Sequence, residues 1–326
     1  MPNILLFGAG GVGITYLHLL HRGGAHTTAV CRSNFSHAQS HGFTLTSQVW
    51  GGPHTTHPNI VSSTADATKY GPYDYIVVCS KASIGLSPSA AELIRPAVGS
   101  ETAIVLCQNG IGIEAEYAAA FPENTVISGV VYLPVTQVRQ GFVVHGELEM
   151  LEVGLFPSPS PSPSSSTSTS ASNGTATATQ TQTQIQAQSQ LETFAKVFTA
   201  GGGTIKIYSD IQERRWTKLI TNAAWNPICA LSQCSDAGFL RTSAEALTIV
   251  RRAMLEVVRV ARAKGYAGIT EETAEWQLSR AVGREKKGGE GKEPSMLTDV
   301  REGRHGTMEV CFILSNWHDR ICLRVA

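Results

Sequence analysis

The chain has 326 residues, of which 42% are hydrophobic and 16% are charged, so it can form a sizeable core and is long enough for two domains. Lysine plus arginine and aspartate plus glutamate both number 26, which gives a formal net charge of zero. Without net positive charge there is no overall field to attract nucleic acid or an anionic membrane surface, so we expect neither as a partner.

Cysteine spacing and the apolar runs exclude further classes. The seven cysteines are scattered and form no Cys-x-x-Cys pair, which argues against a disulfide framework and against a zinc site. We therefore expect no bound metal. Residues 1–7 lack the basic leader of a signal peptide, and no segment approaches the roughly 20 apolar residues of a membrane span. We expect a soluble, cytoplasmic protein.

Four short runs rich in Val, Ile and Leu alternate with helix-length spacers in the first half of the chain. They are residues 4–7, 27–31, 75–79 and 103–107. Apolar runs bounded by Gly, Asp or Ser are typical of buried parallel strands. Their alternation with helical segments predicts an N-terminal α/β domain with a Rossmann-type doubly wound sheet.

The hydrophobic period changes to that of helices in the second half. The segments with this spacing are residues 192–199, 211–230, 243–264 and 271–282. We expect a Rossmann-type domain in residues 1–209 and a mostly α-helical second domain in residues 210–326. Residues 157–190 are rich in Pro, Ser, Thr and Gln, and they predict a disordered insertion because they have too few apolar side chains to offset the entropy of ordering.

A glycine-rich loop directly follows the first predicted strand and opens an apolar helix, the context in which Gly-x-Gly-x-x-Gly predicts dinucleotide binding. The predicted cofactor-binding loop consists of Gly8, Ala9, Gly10, Gly11, Val12 and Gly13. Gly8 would permit the tight turn, Gly10 would let the backbone approach a diphosphate, and Gly13 would allow the helix to pack closely on the strand. Backbone amides at the helix start would hold the diphosphate without net basic charge.

The ends of the later strands indicate which nucleotide fits. A carboxylate after the second strand would accept hydrogen bonds from the ribose hydroxyls, but the chain has Arg32 there. Because a guanidinium suits a 2′-phosphate, we expect NADP(H) rather than NAD(H). Lys81 and Asn109 follow two further strands at the sheet edge where ligands bind, although a surface lysine and an ordinary turn explain them equally well.

Lys218, Asn222 and Asn226 are spaced four residues apart, so one amine and two amides lie on one face of a predicted helix. A buried polar face is costly unless it meets a polar ligand, and the alternative is a face turned to solvent. Pro227 predicts that the helix ends or kinks where this polar face ends.

Further motifs extend the pattern along nearly the whole chain. They comprise the glycine loop, Arg32, Ser-Lys-Ala at residues 80–82, Gln-Asn-Gly at residues 108–110, Lys-x-x-x-Asn-x-x-x-Asn-Pro at residues 218–227, Ser-Met-Leu-Thr-Asp at residues 295–299, and Glu309. Together they resemble the ketopantoate reductase family, the 2-dehydropantoate 2-reductases. The resemblance implies NADPH-dependent reduction of a small 2-oxo acid, 2-dehydropantoate (ketopantoate), to (R)-pantoate on the route to pantothenate and coenzyme A.

The resemblance also implies roles for the matched side chains. It assigns Lys218 the role of general acid and Glu309 an assisting role at the substrate hydroxyl. The side chains expected to bind the substrate are Asn109, Asn222, Asn226 and Ser295. Asn109 is also expected near the nicotinamide, together with Lys81. Reduction of a ketone leaves charge on its oxygen, so a cation able to release a proton both stabilises and neutralises that oxygen.

Three features depart from the family pattern. The spacing between Asp299 and Glu309 is longer than usual, Asp236 stands where the family often has asparagine, and the chain stops at Ala326, where we expect a truncated second domain. Two other functions therefore remain open. One is an NADPH-dependent reductase of another 2-oxo acid, and the other is a catalytically weak NADP(H)-binding sensor or interaction protein. The sequence gives no basis for an oligomeric state.

Overall fold

The structure is a computed structural model that describes residues 1–82, 87–158 and 174–303. Its described strands are β1 Asn3–Phe7, β2 His26–Val30, β3 Phe43–Ser47, β4 Gly51–Thr56, β5 Asn59–Val61, β6 Tyr75–Val78, β7 Ala103–Leu106, β8 Val126–Tyr132, β9 Val135–Arg139, β10 Phe142–His145, β11 Met150–Phe156 and β12 Ile205–Ile207. Its described helices are α1 Gly11–Arg22, α2 Phe35–His41, α3 Thr64–Ala67, α4 Ala90–Ile94, α5 Glu114–Ala120, α6 Gly174–Ala200, α7 Ile211–Ser232, α8 Asp236–Leu240, α9 Ala246–Ala263, α10 Glu271–Lys286 and α11 Ser295–Arg301.

The larger sheet of the described chain has the strand order β12-β11-β8-β7-β6-β1-β2-β5. Strands from β8 to β5 run parallel, whereas β11 is antiparallel to β8 and β12 is parallel to β11. The four adjacent strands β7, β6, β1 and β2 are the four runs predicted from the sequence. Strands β6 and β7 are buried along their whole length, as expected for central strands covered on both faces. The Rossmann-type sheet is confirmed.

A smaller sheet in the described residues has the order β4-β3-β10-β9. Its central strands β3 and β10 are parallel, and each pairs antiparallel with its outer neighbour. The sequence did not predict this sheet. Strand β4 reads Gly-Gly-Pro-His-Thr-Thr and β3 alternates threonine with apolar residues, so neither contains the continuous apolar run that identified the central strands.

Two compact units make up the fold. Within the described residues, the second unit comprises residues 81–82, 109–111 and 212–303, and the rest of the chain forms the first. The second unit is helical, as predicted, and one face of α9 is buried in its core. The two short segments that carry Lys81 and Asn109 pack with this helical unit, although each directly follows a strand of the sheet.

Helix α7 continues through Pro227 to Ser232, so of the two expected outcomes, an end or a kink, the helix end at Pro227 is wrong, and the helical segment predicted for residues 211–230 is present. Proline removes one backbone donor from the helix. The apolar side chains on both sides of it, Trp225 and Cys229, are nevertheless buried in the core of the second unit. Their packing holds the helix together across the proline because burial of a large side chain outweighs one lost hydrogen bond.

Helix α6 corrects part of the predicted disorder. It begins at Gly174, inside the low-complexity stretch of residues 157–190, while residues 159–173 lie outside the described chain. Polar contacts fix the last turns of this stretch: Gln190 Nε2 donates to the Glu101 carbonyl oxygen at 2.8 Å, and Tyr75 Oη donates to the Gln190 carbonyl oxygen at 2.8 Å. A composition with few apolar residues therefore forms a helix here because a buried continuation, with Leu191 and Phe194, anchors it.

Helices α1 and α6 approach each other at two glycines near their carboxyl ends. A Cβ atom on Gly23 would lie 2.1 Å from the Val197 carbonyl oxygen, and a Cβ atom on Gly201 would lie 1.9 Å from the Leu19 carbonyl oxygen. Both distances are too short for any side chain, so this glycine contact fixes where the two backbones meet. Tyr16 and Phe198 pack edge to face beside it, with ring centroids 5.1 Å apart.

His18 of α1 makes the stability of the first unit depend on pH. Its buried imidazole is hydrogen-bonded through Nδ1 to Thr56 Oγ1 at 2.8 Å. Burial, and then the positive charges of His54, Arg22 and His21, lower the pKa of His18 from 6.5 to about 4. The folded protein therefore holds His18 neutral while the unfolded chain protonates it near pH 6.5. The part of the folding free energy that depends on a neutral His18 is fully present above pH 6.5 and is lost as the pH falls toward 4.

We expect His18 alone to lower the free energy of unfolding by about 3 kcal/mol between pH 7 and pH 4. Urea denaturation at a series of pH values measures this dependence. The variant His18→Gln should show a correspondingly shallower loss, whereas His26→Gln, at an exposed position, should follow the wild type. An unchanged pH dependence in His18→Gln would contradict the assignment.

Candidate functional site

The glycine loop connects β1 to α1, and each of its three signature glycines has a distinct environment. Gly8 has φ +107°, and a Cβ atom there would lie 2.2 Å from the Ser80 nitrogen. A Cβ atom on Gly13 would lie 2.0 Å from the Gly8 carbonyl oxygen, whereas one on Gly10 would meet nothing within 4 Å. Gly8 and Gly13 are therefore required by the protein's own packing, and Gly10 borders open space.

The start of α1 is suited to an anion. Gly10 is its N-cap, and no described side chain accepts a hydrogen bond from the first turn in place of a ligand. The first N–H groups of a helix lack partners within the helix and carry partial positive charge. Open space at Gly10 beside these groups fits the diphosphate of a dinucleotide without any charged side chain.

The remaining loop residues make contacts inside the first unit. A Cβ atom on Gly11 would lie 3.3 Å from Val135 Cγ1, and Val12 packs against the core. The Ala9 carbonyl oxygen accepts a hydrogen bond from Asn34 Nδ2 at 3.1 Å. Asn34 is buried and precedes α2, so it joins the loop after β2 to the glycine loop. Sequence reasoning missed Asn34, since an amide just after Arg32 and Ser33 resembles an ordinary helix start.

Arg32 is exposed two residues after the end of β2. Strands β1 and β2 are parallel neighbours, with Phe7 opposite Val30, so the glycine loop and the Arg32 loop leave the same edge of the sheet. This is the edge at which open α/β sheets bind their ligands. The position of Arg32 thus fits a group on the ribose next to a diphosphate at the glycine loop.

Gln108 joins the ends of the next two strands. Its Nε2 donates to the Ser80 carbonyl oxygen at 2.9 Å, and its Oε1 accepts a hydrogen bond from Tyr117 Oη at 3.1 Å. Nearby, a hydrogen bond with Cys107 and burial raise the pKa of the Cys79 thiol, so Cys79 stays protonated at neutral pH and cannot act as a nucleophile. Through its hydrogen bond to Ser80, Gln108 joins the ends of β6 and β7, directly before the predicted site residue Asn109.

Lys218 and Asn109 meet within the second unit. Lys218 Nζ donates a hydrogen bond to Asn109 Oδ1 at 2.8 Å. Lys218 lies in the middle of α7 and is partly exposed, while Asn109 is exposed in the segment after β7. The structure thus brings together two predicted site residues that are 109 positions apart in the sequence. The amide oxygen fixes the direction of the ammonium group and leaves it accessible.

The other polar side chains of α7 lie one and two turns further along. Asn222 is partly exposed, and Asn226 is buried with its Oδ1 accepting a hydrogen bond from the Met296 backbone nitrogen at 3.5 Å. This contact sets Asn226 at the start of α11, where Ser295 is exposed. Ser295 directly precedes the residue that makes this contact, and its role in binding the substrate stays a prediction.

Lys81 is held by a carboxylate of the second unit. Its Nζ lies 2.6 Å from Asp299 Oδ2, and the Asp299 side chain is almost fully buried while that of Lys81 is half exposed. Asp299 lies four residues after Ser295, so both project from one side of α11. Sequence reasoning quoted Asp299 as part of a motif without giving it a role. The spacing to Ser295 was the signal that could have identified it.

Two further charged residues of the second unit are buried. Arg215, 4% exposed, donates a hydrogen bond from Nη1 to the Gly110 carbonyl oxygen at 2.9 Å. Asp236 forms an ion pair with Arg284 and accepts a hydrogen bond from the Lys292 backbone nitrogen at 2.7 Å, so it anchors the loop that leads to α11. Neither was predicted as a site residue. Arg215 lies three residues before Lys218 on the same helix, which was its only signal.

Three other sequence-based expectations concern metal, membrane and Glu309. The described residues contain no group of three or more His, Cys, Asp or Glu side chains that could hold a metal ion. Among the described helices, none is long and apolar enough to cross a membrane. Glu309 lies outside the described residues, so its role stays a prediction.

Known proteins match this chain over most of its length. The family described as Ketopantoate reductase PanE/ApbA matches residues 4–158, and its C-terminal counterpart, Ketopantoate reductase PanE/ApbA C terminal, matches residues 210–320. The structure of 2-dehydropantoate 2-reductase from Methylococcus capsulatus is similar with a TM-score of 0.75 and 29% identity, covering 98% of this chain and 90% of that one. The corresponding protein of Geobacter metallireducens GS-15 has a TM-score of 0.75 and 26% identity, covering 93% and 88%. An uncharacterized protein of Saccharomyces cerevisiae is 28% identical over 97% of this chain and 86% of its own length.

Proposed function

Because the chain belongs to the ketopantoate reductase family, we propose that it is a cytoplasmic NADPH-dependent reductase that converts 2-dehydropantoate (ketopantoate) to (R)-pantoate for pantothenate and coenzyme A synthesis. The observation that carries this proposal is the hydrogen bond of 2.8 Å between Lys218 Nζ and Asn109 Oδ1. It holds an accessible ammonium group in one place on the polar face of α7. An ammonium in such a position can donate a proton to a carbonyl oxygen.

The residues of the first unit fit the cofactor. The amides at the start of α1 and the open space at Gly10 suit the diphosphate, and the exposed Arg32 suits a 2′-phosphate on the ribose. NADPH, when bound, supplies the hydride that reduces the carbonyl carbon. The choice of NADPH over NADH rests on Arg32. In NAD-binding folds a carboxylate at this position accepts hydrogen bonds from the ribose hydroxyls, whereas this chain has an exposed guanidinium there.

The residues of the second unit would bind and protonate the substrate. The Lys218 ammonium group stabilises the charge that develops on the carbonyl oxygen and then gives it a proton. Asn222, Asn226 and Ser295 provide neutral hydrogen-bonding groups for the substrate's hydroxyl and carboxylate. In the same proposal Glu309 assists at the substrate hydroxyl.

Two further side chains keep the site polar. Asn109 orients Lys218 through its amide oxygen and would lie near the nicotinamide of a bound cofactor, and Lys81 adds a second cation. The Asp299 carboxylate holds Lys81 in place at 2.6 Å. A charged group held this way is positioned before the substrate arrives, which reduces the ordering that the reaction itself requires.

The direct test is turnover of the purified chain. With NADPH and ketopantoate, absorbance of the reduced nicotinamide should fall at a rate that depends on enzyme concentration, and a panel of other 2-oxo acids should give a lower kcat/KM. A preference for another 2-oxo acid would identify the related reductase instead. Tight NADPH binding without turnover of any 2-oxo acid would support the sensor and would contradict the proposed activity.

Replacing Arg32 with alanine is expected to raise the KM for NADPH about 10- to 100-fold, because hydrogen bonds between charged groups contribute about 1.5–3 kcal/mol. The KM for NADH should change little, since NADH has no 2′-phosphate. Initial-rate kinetics with both cofactors measure the change, and Arg252→Ala, an exposed site on α9, is the matched control. Equal losses for NADPH and NADH would contradict the role of Arg32.

A further inference from the structure

Arg215 is a buried charged side chain of the second unit. It is 4% exposed in the first turns of α7, and its neighbours Trp216 and Leu219 belong to the core of the second unit. Burial of a guanidinium is costly unless hydrogen bonds compensate for its lost hydration. One compensating bond is the 2.9 Å contact from Nη1 to the Gly110 carbonyl oxygen. Such a bond is strong because its donor is charged.

The turn that receives this hydrogen bond has a fixed backbone. Gly110 has φ +114°, a conformation that residues with side chains rarely adopt, and Ile111 is buried against the same core as α7. Asn109 precedes these two residues directly. The position of the Asn109 side chain is therefore set by the turn and by whatever holds the Gly110 carbonyl group.

Arg215 and Lys218 hold neighbouring residues of this turn. They are three residues apart and lie on one side of α7. Arg215 binds the backbone at Gly110, and Lys218 binds the side chain of Asn109. We propose that Arg215 is a positioning residue that fixes Asn109 and thereby the Lys218 ammonium group. The catalytic consequence rests on the proposed function, whereas the geometric consequence does not.

The geometric consequence can be measured without activity. In the full-length chain, pulse labelling of amines with acetic anhydride, read by mass spectrometry, reports how firmly Lys218 is hydrogen-bonded. Arg215→Met should raise the labelling rate of Lys218 about 3-fold or more, because the hydrogen bond from Lys218 Nζ to Asn109 Oδ1 weakens when Asn109 moves. Asn109→Ala should produce the same rise, and the rate at exposed Lys286 should stay constant.

Two control variants separate positioning from general destabilisation. Val250→Ala removes a fully buried side chain from the same core without touching the turn, and Arg252→Met removes an exposed arginine. Both should leave the labelling rate of Lys218 at the wild-type value under folding conditions. Arg215→Lys keeps the charge but loses the planar guanidinium, so its labelling rate should lie between those of the wild type and Arg215→Met. It also serves as the test if Arg215→Met does not fold.

Kinetics then link the geometry to the reaction. Arg215→Met should lower kcat about 10-fold or more, because the Lys218 ammonium group is then no longer held in one place. A wild-type labelling rate and kcat in both Arg215 variants would overturn the proposal. If the wild-type chain reduces no 2-oxo acid, the proposed function fails, but a changed labelling rate in Arg215→Met would still support the positioning of Lys218.

Discussion

Substitution of Lys218 by alanine is expected to lower kcat about 1,000-fold, within the range that a positioned general acid contributes. The ammonium group lies 2.8 Å from Asn109 Oδ1, and the variant removes both the proton donor and the positive charge opposite the developing alkoxide. The dissociation constant for NADPH should stay within about 2-fold of the wild type because the groups proposed to bind its diphosphate are backbone amides at the start of α1. Steady-state turnover and quenching of cofactor fluorescence measure the two quantities separately.

A conservative variant distinguishes the acid from the charge. Lys218→Arg keeps a positive group on α7, but a guanidinium does not release its proton at neutral pH. It should therefore stay close to the alanine variant in kcat. The matched control is Lys286→Ala, an exposed lysine at the end of α10, which should retain full activity. Near wild-type turnover by Lys218→Ala would end the assignment of Lys218 as the acid.

The second large effect is expected at Gly10. Gly10→Ala should weaken NADPH binding about 100-fold, since the added methyl group would stand in the space that the diphosphate needs next to charged hydrogen bonds. The melting temperature should not fall, because a Cβ atom there meets no protein atom within 4 Å and φ is −91°, which alanine adopts freely. Calorimetric titration with NADPH and thermal unfolding of the free protein provide the two measurements.

Gly13→Ala is the informative comparison for Gly10. Its Cβ atom would lie 2.0 Å from the Gly8 carbonyl oxygen, so the backbone of the loop has to move and the free protein should lose about 2 kcal/mol or more of stability. Loss of binding with stability intact, at Gly10 alone, separates a ligand-facing glycine from a packing glycine. Wild-type affinity in Gly10→Ala would show that the diphosphate does not lie there.

The parts of the fold that the sequence predicted are those with a strong local pattern. Strands β6 and β7 are continuous runs of apolar residues, and α9 carries apolar residues at helical spacing, so their types follow from short windows. The smaller sheet lacks such runs, and β3 pairs with β10, about a hundred residues away, so tertiary contacts rather than local preference decide its structure.

Differences at two elements have physical causes. The end of the low-complexity segment is helical because Gln190 donates a hydrogen bond to the Glu101 carbonyl oxygen and accepts one from Tyr75 at its own carbonyl oxygen. Composition does not reveal these contacts. Helix α7 passes through Pro227 because both sides of the proline are packed. In each case contacts that are remote in sequence outweigh the local propensity.

The sequence predicted the motifs of the candidate site, but it did not predict which of their residues contact each other. Lys218 and Asn109 were both identified, yet no spacing rule connects positions so far apart in the sequence. The partners Asp299 for Lys81 and Arg215 for Gly110 emerged only from the coordinates. Motifs identify which residues carry chemistry, and the folded chain determines which of them support one another.

The contact between Gly23 and Gly201 has a bearing on cofactor engineering. Helix α1 is 12 residues long, or about 18 Å, with the backbone amides of its first turn at one end and this backbone contact at the other. Any side chain at Gly201 would clash with the Leu19 backbone, so α1 and α6 could not keep their present positions. Under the proposed function, we expect substitutions at this contact to change dinucleotide affinity although neither glycine is proposed to touch the ligand.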